Sequence, residues 1–178
     1  MLFRSTPGGW DSDTDMKDDD GDGIFELVIG LSDGFVKFRA NNSWDVNWGG
    51  PSFPSGTGTL GGSDIAVTKG IYIATFNSMT GEYNFAPASI GLIGNATPGG
   101  WDNDTDMVED AAAAGVVNLN ITLVNGSAKF RVNDDWKYNW GSSAFPSGVG
   151  TPGGADIPVP GGSYNVTFNV NTGEYSFN

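Results

Sequence analysis

Two segments of the sequence combine cationic side chains, asparagines and tryptophans in the same order. They read KFRANNSWDVNW at residues 37–48 and KFRVNDDWKYNW at residues 129–140. On a β-strand, the leading Lys and Arg share one face, and the Phe between them points to the other. An indole face stacks on the C–H face of a sugar ring, while Lys, Arg and Asn donate hydrogen bonds to hydroxyls. The spacing therefore indicates two binding sites for a neutral, hydroxyl-rich ligand such as a sugar chain.

Two further tryptophans extend these candidate sites. Trp44 and Trp136, which end the Asn-rich loops, are the expected platforms. Trp10 and Trp101 each follow a Gly-Gly pair in a predicted loop, where a large apolar ring has few neighbours to bury it. We expect these two to close the platform or to pin the acidic loop that follows. The predicted ligand-binding residues are Lys37, Arg39, Trp44, Asn47, Trp48 and Trp10 in the first copy, and Lys129, Arg131, Trp136, Tyr138, Asn139, Trp140 and Trp101 in the second.

A plainer interpretation of the same residues stays open from sequence. In it the tryptophans are core residues and the cations form a solvated face. Trp48 and Trp140 precede glycines and fit a core role as well as a binding role. Repetition does not decide between the two interpretations, because repeated folding units also repeat their cores.

An acidic stretch in the first copy has carboxylates at alternate positions. Residues 18–23 read DDDGDG, which matches the D-x-D-x-D-G start of an EF-hand-like calcium loop. Asp18, Asp20 and Asp22 are therefore candidate Ca²⁺ ligands. The bidentate Glu of such a loop would fall at Ile29, and the second copy has VEDAAAAG in place of the stretch. Solvated turns with side-chain-to-backbone hydrogen bonds are the alternative. The same two interpretations, calcium or solvated turns, apply to the W-D-x-D-T-D loops of both copies, which include Asp13 and Asp104.

The charge balance limits the classes of partner. The chain has 8 Lys and Arg against 21 Asp and Glu, a formal net charge of −13. This charge argues against nucleic acids and anionic membranes, and it suits a neutral ligand or cations. The sequence contains no signal peptide and no run of about 18 apolar residues. We therefore expect either that the sequence is a mature or excised segment, or that export is encoded outside it.

Catalysis is not expected from these residues. The sequence has no His and no Cys, which excludes nucleophile–base pairs of the Ser-His and Cys-His types. Glycoside hydrolysis needs two carboxyls facing each other across a cleft, one of them with a raised pKa. The acidic clusters here lie in Gly-rich turns, where solvent would keep the carboxyls ionised.

The chain is a tandem repeat. TPGGWDSDTDM at residues 6–16 returns as TPGGWDNDTDM at residues 97–107. TFNSMTGEYNF at residues 75–85 returns as TFNVNTGEYSF at residues 167–177. Each copy is about 90 residues long, the size of a domain rather than of a solenoid repeat.

The apolar residues of each copy predict strands. In residues 25–31 and 117–123 they occupy alternate positions, and short runs of this kind are separated by turns rich in Gly and Pro. The predicted fold is all-β, with two tandem immunoglobulin-like antiparallel β-sandwich domains. We place the domains at residues 1–86 and 90–178, with a short linker at 87–89.

These repeated motifs resemble a known family. Each copy looks like a domain of the SusE/SusF type, found in outer-membrane starch- and glycan-binding lipoproteins of Bacteroidetes. The resemblance rests on GLIGNATPGGWD, KFRxNxxW, NWG, FPSG and TFNxxTGEYxF, and it covers nearly the whole chain twice. It implies non-catalytic domains that hold starch-like or other polysaccharide at the cell surface of a Gram-negative bacterium, using aromatic platforms with Lys, Arg and Asn. Other surface glycan-uptake proteins are the implied partners.

A second hypothesis belongs to a different class. The second copy opens with IGLIG at residues 90–94, whereas Met1 of the first copy aligns with Leu92. The first strand is therefore expected to be truncated, and the chain to be either a piece of a longer protein or one whose start has been altered. A groove left at that edge would accept a strand from a neighbouring molecule, as in strand-addition assemblies. The alternative function is thus a structural or adhesive extracellular protein that self-assembles.

Overall fold

The computed structural model describes residues 2–3, 9–10 and 12–178, and for residues 2–3 the backbone alone. Asp11 and the start of the first TPGGW motif lie outside the described residues. The described part of the chain forms strands and turns without a helix, so it has no helix long and apolar enough to cross a membrane. This architecture confirms the predicted all-β fold with β-sandwich domains in tandem.

The first compact unit spans Met1–Pro87 and is called the first domain below. Its strands are β1 (Leu2–Phe3), β2 (Ile24–Leu31), β3 (Gly34–Arg39), β4 (Asn47–Gly49), β5 (Ser55–Thr57), β6 (Thr59–Leu60), β7 (Ile65–Val67), β8 (Gly70–Asn77) and β9 (Glu82–Pro87). One sheet has the order β1-β3-β4-β6, with β7 also pairing with β3, and the other has the order β2-β8-β9-β5.

The second compact unit, Ala88–Asn178, is the second domain. Its strands are β10 (Ile90–Gly94), β11 (Gly100–Asp106), β12 (Val108–Glu109), β13 (Val116–Leu123), β14 (Gly126–Val132), β15 (Asp135–Gly141), β16 (Ser147–Val149), β17 (Thr151–Pro152), β18 (Ile157–Val159), β19 (Gly162–Asn169) and β20 (Glu174–Phe177). One sheet has the order β11-β10-β14-β15-β17, with β18 also pairing with β14. The other has the order β12-β13-β19-β20-β16.

Aromatic side chains join the two sheets of each domain. In the first domain the rings of Phe38 on β3 and Phe76 on β8 stack with centroids 4.5 Å apart. Phe130 on β14 and Phe168 on β19 repeat this contact at 4.3 Å in the second domain. Period-2 alternation puts each Phe on the inner face of its strand, and burying such a ring contributes about 1.5–3 kcal/mol. The same alternation turns the Lys and Arg beside Phe38 and Phe130 to the outer face.

A tight turn follows the Arg-bearing strand in both domains. Asn41 and Asn42 have φ values of 55° and 55°, and Asn133 and Asp134 have values of 51° and 57°. Asn and Asp tolerate this left-handed region because their short polar side chains bond locally. In the second domain the turn joins β14 directly to β15, with Val132 paired to the residue after the turn, as in a two-residue type I′ hairpin.

The hairpin changes the expected position of two tryptophans. Both Trp101 and Trp136 were predicted in loops, but they lie on β11 and β15. Trp136 is on a strand because the two-residue turn lets strand pairing resume at once, and Trp101 because β11 pairs with β10. Trp10 and Trp44 lie in turns, as expected.

The linker is shorter than predicted. Pro87 was assigned to it, but this residue ends β9 and is paired with Tyr72. Only Ala88 and Ser89 separate β9 from β10. At the start of the chain, β1 pairs with β3 through Leu2 and Phe3, and strand addition by a neighbouring molecule stays a prediction.

Candidate functional site

Two tryptophans meet on the surface of the first domain. The ring centroids of Trp10 and Trp44 lie 5.4 Å apart, and the ring planes are tilted by 53°. Trp44 is 42% exposed, and Trp10 is half-buried. The turn at Asn41 and Asn42 carries the chain back over the end of β3 and so presents Trp44. We call Trp10 and Trp44 the first tryptophan pair.

The second domain repeats the arrangement with residues from two strands. The rings of Trp101 on β11 and Trp136 on β15 have centroids 6.0 Å apart and planes tilted by 41°. Trp136 is 44% exposed. We call Trp101 and Trp136 the second tryptophan pair. An apolar ring that is held in place yet remains this exposed in both domains marks a surface suited to binding.

An arginine lies against one face of each exposed ring. The Cζ atom of Arg39 is 4.8 Å from the ring centroid of Trp44, and that of Arg131 is 5.2 Å from the centroid of Trp136. Both distances are within the range of a cation–π interaction. Because the guanidinium covers one face of the indole, the exposed part of the ring belongs mainly to the other face and the edges.

Each of these arginines is held by a buried aspartate. Arg39 Nε and Nη2 each lie 2.7 Å from Asp13 Oδ1, and the two side chains are 7% and 3% exposed. In the second domain Arg131 Nε donates to Asp104 Oδ2 at 2.8 Å, with both side chains similarly buried. Breaking a buried pair of this kind leaves an uncompensated charge, which makes the arrangement rigid.

The balance of forces on Asp13 favours its ionised form. Burial raises the pKa of the carboxyl, but the hydrogen bond and the charge of Arg39 are among the effects that outweigh it, and the pKa lies below its usual value. A depressed pKa in the folded state means that this carboxylate stabilises the fold above its unfolded pKa and stops doing so as the pH falls. The pair is therefore intact at neutral pH.

Gly91 provides the space for the aspartate of the second domain. A Cβ atom at this position of β10 would overlap the carboxylate of Asp104. Gly91 pairs with Arg131 on one side and with Asp106 on the other. The bare backbone of β10 thus lets the Asp104 carboxylate reach the guanidinium on the neighbouring strand.

The predicted cationic residues have partners inside the protein. Lys37 Nζ donates to the carbonyl of Gly62, and Lys129 Nζ to that of Gly154, each at 2.6 Å. The interpretation of these cations as a solvated face is wrong for Arg39, Lys129 and Arg131, which are buried. Direct contact of the four cations with a ligand stays a prediction, whereas their support of the surrounding structure is visible.

The same side-chain amide contact fixes the backbone at the exposed tryptophan of each domain. Asn47 Nδ2 donates to the carbonyl of Trp44 at 2.8 Å, and Asn139 Nδ2 donates to that of Trp136 at the same distance. Asn47 lies directly across from Arg39 on the neighbouring strand, as Asn139 does from Arg131. Their Oδ1 atoms are buried, with no hydrogen-bond partner within the described part of the chain. Binding of a ligand by these two amides stays a prediction.

The remaining predicted residues divide between core and surface. Trp48 packs on Phe76 with centroids 5.2 Å apart, and Trp140 packs on Phe168 at 5.5 Å. Trp140 is buried, as the core interpretation expects, while Trp48 stays half-buried. Tyr138 is half-buried, and the ammonium of Lys137 lies 5.2 Å from its ring centroid.

One acidic contact occurs beside the second tryptophan pair. A hydrogen bond to the carboxyl of Asp104, together with the negative charge of that group, raises the pKa of Asp134 above its usual value. Arg131 Nη2 lies 3.7 Å from Asp134 Oδ1 and acts in the opposite direction. The first domain has the neutral Asn42 at the equivalent position.

This contact predicts a pH-dependent gain in stability for Asp134→Asn. A folded-state pKa above the unfolded one means that Asp134 is favourable below the unfolded pKa of about 3.9 and becomes unfavourable as the pH rises through the folded value. Asp134 is 72% exposed, so the effect is small. We expect the second domain of the variant to melt less than about 4 °C higher at pH 7 and no higher at pH 3. Asp156→Asn, an exposed carboxylate elsewhere in the domain, controls for net charge, and an equal shift in both variants would contradict the assignment.

The predicted calcium ligands lie close together in the first domain. Carboxylate oxygens of Asp18, Asp20 and Asp22 all lie within 4.8 Å of one another. The same side chains accept hydrogen bonds from backbone amides, including Gly21 N to Asp18 Oδ1 at 2.7 Å. The position of the bidentate Glu is Ile29, which is buried in the core. The geometry matches the turn alternative as well as a metal loop, and calcium binding stays a prediction.

Comparisons with known proteins give a distant likeness. No protein-family model matches the sequence, and no curated protein matches it at a significant level. The crystal structure of SusF from Bacteroides thetaiotaomicron aligns with 99% of this chain at 17% identity and a TM-score of 0.37. The alignment covers 47% of the SusF chain, so this chain spans about half its length. A superposition this loose carries no argument about the function of this chain.

Proposed function

We propose that the chain binds neutral polysaccharide without altering it chemically, through one tryptophan pair in each domain. The observation that carries the proposal is the exposed indole of Trp44 and of Trp136, each backed by a buried Arg–Asp pair and flanked by a second indole. A large apolar ring that stays exposed contributes little to the core, and contiguous exposed apolar surface is typical of interaction sites. The same arrangement of side chains occurs in both domains, although the tryptophans lie in turns in the first domain and on strands in the second.

The tilt of the rings favours a curved sugar chain. The planes meet at 53° in the first pair and at 41° in the second. Coplanar platforms suit a flat chain such as a β-1,4-glucan, whereas angled platforms follow a chain that curves. We therefore propose a starch-like α-glucan as the ligand. The net charge of −13 is consistent with a neutral polymer and disfavours polyanions.

The proposed role is retention of polysaccharide at the surface of a Gram-negative bacterium, beside other glycan-uptake proteins. Catalysis forms no part of it. The sequence has no His or Cys, and the buried carboxylates of Asp13 and Asp104 are each bonded to an arginine. Neither is therefore available as the general acid that glycoside hydrolysis requires.

The test is affinity electrophoresis and calorimetry against soluble α- and β-glucans. We expect retardation in gels that contain α-glucan, and none for Trp44→Ala/Trp136→Ala, a double variant that keeps both Arg–Asp pairs. Circular dichroism and thermal melting show whether the variant is folded. Absence of binding by the folded wild-type chain to every glucan would refute the proposal. Equal binding by the double variant would show that the tryptophan pairs are not the sites.

A further inference from the structure

The first domain contains a pocket separate from the exposed face of Trp44. Its volume is about 300 Å³. It lies between the two sheets, because Trp48 on β4 belongs to one sheet and Phe25 and Phe76 belong to the other. The apolar lining residues are Met16, Phe25, Ala40, Trp48 and Phe76, and the polar ones are Asp15, Arg39, Asn41, Asn42 and Ser78.

Two positions of the pocket lining carry larger side chains in the second domain. Ala40 and Ser78 of the first domain correspond to Val132 and Val170, which are both buried. Trp48 is half-buried, but its counterpart Trp140 is buried. The change of Phe25 to Val117 removes a ring from the opposite wall, yet Val117 is also buried. All four residues are thus more buried in the second domain, and the two valines add side-chain volume at the positions of Ala40 and Ser78.

The lining has the chemistry of a sugar-ring site. Three aromatic rings and a thioether provide an apolar floor, and amide, hydroxyl and carboxylate groups surround it. Ligand pockets run from about 300 to 1,000 Å³, so this one holds a single ring rather than a length of chain. Phe76 belongs to the buried core, which closes the inner end of the pocket. A polymer therefore enters with an end unit and does not pass through.

Arg39 connects the pocket to the first tryptophan pair. Its side chain lines the pocket, and its Cζ lies 4.8 Å from the ring centroid of Trp44. The pocket and the indole of Trp44 therefore lie against the same guanidinium. Building on the proposed function, we infer that the first domain captures the end unit of a glucan in this pocket, while the following units lie on the first tryptophan pair. The second domain, with valines at two of the equivalent positions, binds units at any point along a chain.

The test compares linear maltoheptaose with its ring-closed counterpart, which has no end. It uses the full chain with Trp136→Ala, so that binding reports on the first domain. Adding Ala40→Val and Ser78→Val fills the pocket with the side chains found in the second domain. We expect calorimetry to show about a tenfold loss of affinity for the linear sugar and no change for the cyclic one. Ala66→Val, at an exposed position on β7, is the matched control and should change neither.

The outcomes separate this inference from the proposed function. Equal losses for the linear and cyclic sugars, or no loss for either, would overturn end capture while leaving glucan binding intact. If the Trp136→Ala chain binds neither sugar, glucan binding by the first domain fails and end capture fails with it. Should the double substitution unfold the domain, Ser78→Val alone, at an exposed position, provides the same comparison. The reciprocal Val132→Ala/Val170→Ser change in a Trp44→Ala chain should create a preference for the linear sugar.

Discussion

Replacement of Arg131 by alanine should lower the free energy of unfolding of the second domain by about 3–5 kcal/mol. The substitution leaves the Asp104 carboxylate, 3% exposed, without the guanidinium that bonds to it at 2.8 Å. It also removes the cation that lies against the ring of Trp136. A loss of this size is a large fraction of the total stability of a small domain.

The measurement is denaturant unfolding followed by tryptophan fluorescence and circular dichroism. Because the two domains form separate compact units, we expect the transition of the second domain to move and that of the first to stay. Lys137→Ala, which removes an exposed cation from the same domain, should cost less than about 1 kcal/mol. A similarly small effect for Arg131→Ala would show that the ion pair does not support the domain.

A paired substitution checks the physical cause. Arg131→Met with Asp104→Leu replaces the ion pair by apolar groups, and such exchanges are often neutral in stability. The double variant should therefore recover much of what Arg131→Ala loses. It should not recover glucan binding to the same degree, since the cation behind Trp136 is still missing. If it is less stable than Arg131→Ala, an unpaired buried carboxylate is not the reason for the loss.

Trp44→Ala and Trp136→Ala should each remove the proposed glucan site of their own domain. Trp136→Ala should lower the glucan affinity of the chain more than Trp44→Ala does. Loss of a central tryptophan costs about 2 kcal/mol or more, or about thirtyfold in affinity. The second site also has Tyr138 and Lys137 where the first has Val46 and Asp45. Extra aromatic stacking contributes about 0.5–1.5 kcal/mol, which is about threefold to tenfold.

Calorimetry with a short α-1,4-linked oligosaccharide measures this difference. The Trp44→Ala chain, which keeps the second site, should bind about threefold to tenfold more tightly than the Trp136→Ala chain. Lys137→Asp with Tyr138→Val gives the second domain the residues of the first at these two positions and should abolish the difference in affinity. Tighter binding by the Trp136→Ala chain would reverse the ranking. If the difference in affinity persists after the exchange, residues other than Lys137 and Tyr138 cause it.

Much of the fold followed from repetition and alternation. Phe38 and Phe130 were predicted to face inward, and both are buried between two sheets. Which segments form strands, and which face each side chain occupies, follows from the local alternation of residues, so a single sequence contains that information. The positions of Trp101 and Trp136 were missed because they depend on where strand pairing resumes after a turn, which the turn geometry at Asn133 and Asp134 decides.

The candidate site was predicted by residue type but not by role. The tryptophans were identified, whereas Asp13 and Asp104 were assigned to solvated turns or to calcium. Both carboxylates instead reach an arginine 26 or 27 residues along the chain, and local pattern contains no information on such contacts. A signal did exist, since W-D-x-D-T-D and K-F-R occur together in both copies. An arginine on a strand of a sandwich needs a carboxylate partner if it is buried.

The pocket of the first domain was also not predicted. Two of its lining residues, Ala40 and Ser78, have small side chains, and small residues form no recognisable motif. Comparison of the two copies offered the only sequence signal, because Val132 and Val170 stand at the equivalent positions. Differences between copies that share a fold are thus informative about function, in addition to the residues that they have in common.

The arginine behind each exposed indole has a consequence for the kinetics and entropy of binding. Trp44 is restrained from behind by Arg39 and at its side by Trp10 before any ligand arrives. Ordering a mobile side chain during association costs about 0.5–1.5 kcal/mol. Because Trp44 is already ordered in the folded chain, binding does not include that cost. Association then requires no rearrangement of the platform, so encounter sets its rate. For the proposed glucan binding, we expect selectivity between glucans to be expressed in the lifetime of the complex.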